Sequence, residues 1–129
     1  GVGRLTLLDT NIVIYYLDGT IKKDPSPEDP ALSVITVAEL LSKQGLPEEN
    51  EQKIQELVDK VRVIPVDQKI AERAAHLRRI RGVKLPDALI AATAMENNAT
   101  LWTRDSELMN KLIPDGLRVF SPKLTTSEG

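Results

Sequence analysis

The chain has 129 residues and a formal net charge of −2, with 41% of residues apolar and 28% charged, the composition of one globular domain with its own core. It has no cysteine and a single histidine, His76, which excludes disulfides, thiolate zinc sites, cysteine nucleophiles and, within one chain, any multi-histidine metal centre. No apolar run nears the roughly 20 residues of a membrane span, and no basic segment with an apolar signal core opens the sequence, so a cytoplasmic protein with no membrane partner is expected.

Residues 5–8 are short, apolar and stopped by Asp9-Thr10-Asn11, which predicts a buried strand running into a capped helix over 12–17. Three prolines and little apolar content make 19–30 a loop. Residues 33–36 read as a second strand, with Thr36 capping a helix that carries Glu39 at its third position and ends at Gly45. The Pro-Glu-Glu start at Pro47 and apolar spacing through Ile54, Leu57 and Val58 predict a helix to Lys60, followed by a strand over 61–66. Helical spacing returns over 68–81 and stops at Gly82. Pro86 opens an alanine-rich helix to Asn97, and strands at 100–103 and 117–120 enclose a helix at 106–112. Trp102 and its strand belong to the core, and His76 to a helix surface or packing position. This alternation predicts an α/β domain with a mainly parallel central sheet flanked by helices, spanning 4–122, and a disordered tail at 123–129.

Open parallel sheets bind ligands beyond the carboxyl ends of their strands. Asp9 and Asp105 follow strands directly, and Asp87 and Glu39 fall in first helical turns, where backbone N–H groups favour anions. Each acid also has an ordinary capping role to play. Four of them on one rim would repel one another and raise their own pKa values unless a cation compensated. Oxygen donors without histidine or cysteine point to Mg²⁺ or Mn²⁺.

Charge is also segregated. From Lys60 to Lys84 eight basic residues face two acidic ones, a net of +6, which leaves −8 for the remainder. Either a polyanion site or a solvated helix face produces such a run.

Four blocks, LLDTNIVIYYL from Leu7, SVITVAELL from Ser33, LRRIRGVKLPDALIAATA from Leu77 and TLWTRDSELM from Thr100, resemble in order and spacing the signature blocks of the PIN-domain nucleases. Within that superfamily the chain is most similar to the small VapC-type toxins of toxin-antitoxin modules. The resemblance implies a Mg²⁺- or Mn²⁺-dependent endoribonuclease with Asp9, Glu39, Asp87 and Asp105 as catalytic quartet and Asp9, Asp87 and Asp105 on the metal. It further implies that Asn11 orients Asp9 and that Thr103 holds the metal-site loop. Glu107 stands where the family often has another acid and is expected to support the site without ligating. Arg73, Arg78, Arg79, Arg81 and Lys84 precede Asp87 and are placed to hold RNA phosphates. With aromatics at 3%, selection by RNA shape or a short single-stranded stretch is expected over extended base stacking. The toxin likeness implies a homodimer and an antitoxin whose C-terminal segment crosses the acidic groove. Competing readings are an inactive RNA-binding or scaffold module of the same fold and a housekeeping RNA-processing nuclease. A phosphate-accepting receiver domain fits poorly, because Asp9-Thr10-Asn11 offers one acid where that fold wants an adjacent pair.

Overall fold

The computed structural model describes residues 4–125. Five short strands, β1 (Thr6–Leu8), β2 (Pro30–Ser33), β3 (Arg62–Ile64), β4 (Thr100–Trp102) and β5 (Arg118–Phe120), pair in parallel in the order β3-β2-β1-β4-β5. Between them run α1 (Thr10–Asp18), α2 (Val34–Leu41), α3 (Glu48–Lys60), α4 (Gln68–Arg81), α5 (Leu85–Glu96) and α6 (Ser106–Leu112). A 3-10 turn, Ile113–Asp115, follows α6.

Successive side chains on a strand point to opposite faces, and here both faces are covered, so consecutive apolar residues feed two cores. Leu7, Ala31 and Leu101 pack on one side with Ile70, Leu77, Ala91 and Leu112 of α4, α5 and α6. Their neighbours Leu8, Leu32 and Trp102 pack on the other with Ile12, Val13, Leu40 and Ile54 of α1, α2 and α3. Parallel crossovers are right-handed, so strands added on one side of β1 carry their helices on one face, and strands added on the other side carry theirs on the opposite face. The reversal falls between β1 and β4. It opens a crevice at their carboxyl ends, where Leu8 and Trp102 stand side by side in the ladder.

The second strand and its helix are shifted from the sequence expectation. The β1 ladder pairs Thr6 with Pro30, which draws the strand back to Pro30–Ser33. The buried Ser33, not Thr36, then caps α2, its hydroxyl accepting from Ile35 N–H at 3.0 Å. Glu39 therefore sits at the sixth helical position rather than the third, and the capping box does not form. Helix α2 stops at Leu41, while Gly45 (φ +73°) turns the chain toward α3. Strand β3 is shorter than 61–66. Of the expected tail, residues 123–125 are held: Leu124 bridges Ile21, Lys123 C=O accepts from Lys22 N–H at 2.9 Å, and Thr125 N–H donates to Thr20 C=O at 2.7 Å. Residues 126–129 lie outside the described residues.

Candidate active site

Asp9 leaves β1 with an extended backbone and caps α1, its Oδ1 accepting from Ile12 N–H at 2.8 Å. The capping role read from sequence is real, yet Asp9 as a residue is 9% exposed and its carboxylate is not spent on the cap alone. The Thr103 hydroxyl, fully buried one residue beyond β4, also hydrogen-bonds to it. That hydroxyl accepts from Asp105 N–H at 3.1 Å, so Thr103 links the two aspartates that end neighbouring strands. Asp105 in turn caps α6 through Leu108 N–H at 3.0 Å. Asp87 enters as the third residue of α5, half-buried, with Pro86 ahead of it supplying a helical φ.

Burial raises the Asp9 carboxyl above its ordinary value, against the Thr103 and Ile12 hydrogen bonds that lower it, and the charges of Asp87 and Asp105 raise it further. Asp87 is likewise raised by burial, then by Asp105 and Glu39, with Lys84 pulling the other way. Asp9, Asp87 and Asp105 thus lie within one another's fields, and Glu39 of α2 acts on Asp87. Glu39 stands to the side. Its Oε1 accepts from the Thr10 hydroxyl at 2.5 Å, and the Thr36 hydroxyl lies 3.2 Å from Thr10 Oγ1, from where it can donate into that oxygen.

Among the described residues, no three acidic or histidine side chains stand close enough to form a ready-made metal cage. Mg²⁺ does not require one, since it keeps several waters and takes one or two carboxylates with substrate phosphate. An all-oxygen donor set whose members destabilise one another's ionised form fits such a cation. Asp9, Asp87 and Asp105 are the residues that would hold it.

The supporting residues divide. Thr103 lies one residue beyond β4, its hydroxyl accepting from Asp105 N–H. Asn11 is exposed and is not among the groups bonded to Asp9, a task taken by Ile12 N–H and Thr103. Glu107 lines the same cleft as Asp87 and Asp105 and pairs there with Lys111 Nζ at 3.2 Å. The basic residues also part company. Arg73 pairs with Glu96 at the far end of α5, nine residues and about 13 Å from Asp87 along the axis. Arg81 makes a two-point ion pair with Asp115 at 2.6 and 2.8 Å, and Arg78 reaches Val83 C=O at 3.4 Å. Arg79 is exposed on α4. Of the five, Lys84 alone lines the cleft of about 140 Å³ that contains Asp87 and Asp105. Two residues there escaped sequence reasoning: Thr10, hidden inside a capping cluster, and Lys111, 24 positions beyond Asp87, which a helix repeat would have placed one turn after Glu107.

Fold and site define an α/β protein with an acidic crevice at its topological switch point. The PIN domain family model matches residues 6–112, and the chain belongs to that family. A toxin-antitoxin complex from Klebsiella pneumoniae is similar at 30% identity, over 90% of this chain and 96% of that one, with a TM-score of 0.71. VapBC2 from Rickettsia felis, solved bound to a DNA fragment from its promoter, is similar at 26% identity over 91% and 98%, TM-score 0.69. VapBC-5 from Mycobacterium tuberculosis, described as a member of the VapBC toxin-antitoxin family, is similar at 25% identity over 92% and 98%, TM-score 0.69. No curated protein matches. No helix of the described residues is long and apolar enough to cross a membrane.

Proposed function

We propose that the chain is a Mg²⁺- or Mn²⁺-dependent endoribonuclease, the toxin of a VapBC-type pair acting in the cytoplasm. The observation that carries this reading is the convergence of Asp9, Asp87 and Asp105 at the switch point with Glu39 beside Asp87, Asp9 and Asp87 being raised first by burial and then by their acidic neighbours. When bound, the metal supplies a water of lowered pKa and charge neutralisation at the phosphate. Asp9, oriented by Ile12 N–H and Thr103, and Asp87 and Asp105 hold the site in place. Glu39, its Oε1 already committed to Thr10, presents its other oxygen to accept a hydrogen bond from the attacking water. The water oxygen bonds to phosphorus and gives up a proton to solvent as the P–O bond to the leaving ribose oxygen breaks, and that oxygen takes a proton from solvent. No protein side chain becomes covalently attached.

Partner binding follows from the same face. An apolar groove of about 270 Å³, lined by Ile14, Leu17, Leu40, Leu46 and Ile54, shares Thr10 and Glu39 with the acidic site. An antitoxin segment seated there would bury exposed Ile14 and close over Glu39. Arg81 and Asp115 join the end of α4 to the 3-10 turn, and both elements expose a large apolar residue, Ile80 and Ile113, which supports self-association as a homodimer.

Incubation of purified protein with total RNA and Mg²⁺ or Mn²⁺, beside EDTA and Asp87→Asn controls, tests the activity. Defined fragments that need both metal and Asp87 are expected. Intact RNA under every condition would overturn the reading in favour of an inactive module of the same fold.

A further inference from the structure

Helix α6 delivers two opposite charges to one cleft. Asp105 caps its N-terminus, and Lys111, six residues and about 9 Å further along the axis, lines the same space from the last turn. Gly82 comes close to the ammonium: a Cβ there would lie 4.0 Å from Lys111 Nζ, and the left-handed φ of +70° independently favours glycine. Lys84, at the N-cap of α5, supplies a second ammonium to that cleft. Neither lysine forms an ion pair with Asp87 or Asp105 among the described residues.

We infer that Lys111 and Lys84 form a phosphate-binding subsite that takes a backbone phosphate of single-stranded RNA beside the acidic cluster, with Glu107 holding the Lys111 ammonium between substrates. This rests on the ribonuclease reading above. The cleft, at about 140 Å³, has room for a phosphate group rather than a base pair. Its two ammoniums offset carboxylates that would otherwise repel the strand. Glu107 is 77% exposed, and its pair with Lys111 is a single i,i+4 contact, the kind of solvent-screened surface pair that contributes little. A phosphate therefore displaces Glu107 from Lys111 at little cost. Sequence favoured Arg73, Arg78, Arg79 and Arg81 of α4 together with Lys84 for this task, and of these Lys84 lines the cleft. The structure leaves most of those side chains engaged with Glu96, Asp115 and Val83, and turns Lys111 toward the cleft in their stead.

A fluorescent single-stranded RNA of mixed sequence, bound to the non-cleaving Asp9→Asn protein with Mg²⁺ and followed by anisotropy across a KCl series, tests the subsite. Adding Lys111→Met is expected to weaken binding roughly tenfold at low salt and to reduce the slope of log K against log salt by about 0.7, one phosphate contact on a single strand. Lys111→Arg is expected to keep both values, and Glu107→Gln to tighten binding. Thermal melting of each variant checks that the fold is retained. Unchanged affinity and slope in Lys111→Met would overturn this inference alone, as would weaker binding at unchanged slope, the mark of a purely structural lysine. Absence of RNA binding by the parent would overturn it together with the ribonuclease reading.

Discussion

The Thr10 hydroxyl donates to the Glu39 carboxylate at 2.5 Å across 29 residues of sequence, tying the first residue of α1 to the middle of α2. One hydroxyl proton serves one acceptor, so Thr36 completes the chain by donating into Thr10. Replacing Thr10 by valine keeps the shape and removes this middle link. The substitution is expected to cost about 1 kcal/mol of stability in urea unfolding and to slow RNA cleavage about tenfold, with Thr10→Ser restoring most of both. A valine variant that cleaves at the parent rate would remove Glu39 orientation from the mechanism.

Thr103 is the corresponding link between β1 and β4. Thr103→Val leaves Asp105 N–H without its acceptor and takes a hydrogen bond from Asp9, whose carboxyl is expected to rise further. A loss of about 1–3 kcal/mol is expected by chemical denaturation. NMR titration of the Asp9 carboxyl carbon would detect the upward shift.

Asp9 and Asp87 ionise less readily in the fold than in the unfolded chain, where the ordinary value is 3.8. The sign follows: the stabilisation from their protonated forms is present at low pH and is lost as pH rises through the folded values. Asp87→Asn removes this repulsion at neutral pH. The variant is expected to be inactive on RNA yet to melt a few degrees higher than the metal-free parent by circular dichroism. Melting well below the parent would show that Asp87 is structural.

As pH falls toward the raised values of Asp9 and Asp87, protons compete with a cation for these carboxylates. Apparent Mg²⁺ or Mn²⁺ affinity is therefore expected to fall as pH is lowered toward the raised values, with proton release on binding. Calorimetry in two buffers of different ionisation enthalpy measures that release, and Asp9→Asn should diminish it.

The alanines of α5 let it lie close against α4 and the sheet: Ala88, Ala91, Ala92 and Ala94 are all fully buried. Ala91→Leu adds a larger side chain at a fully buried position and is expected to destabilise by about 1–3 kcal/mol. Because α5 carries Asp87, cleavage should fall more than stability alone would cause, which activity measured well below the melting temperature would reveal.

Local chemistry made much of this protein legible in its sequence. Apolar runs ending in Asp9 and shortly before Asp105, the Pro86 start of an alanine-rich helix and the Gly82 stop each act within a few residues, so strands, helices and their acids follow from neighbours alone. The PIN domain blocks add their order, and the family match over 6–112 agrees with it. What depends on pairing was not visible. Which residue caps α2 is decided by the register of β2 on β1, a contact between Thr6 and Pro30, and that register moved Glu39 from the first turn to the second. The closeness of Asp9 to Asp105 is set by β1 lying beside β4, although 96 positions separate them. Side-chain direction on a helix decided the rest: Arg73, adjacent to the site in the charge run, is carried to Glu96 at the far end of α5, while Lys111 is carried into the cleft. Sequence determines which groups are available and what each does to its own backbone, whereas only the packed sheet, through long-range register, determines which of them meet.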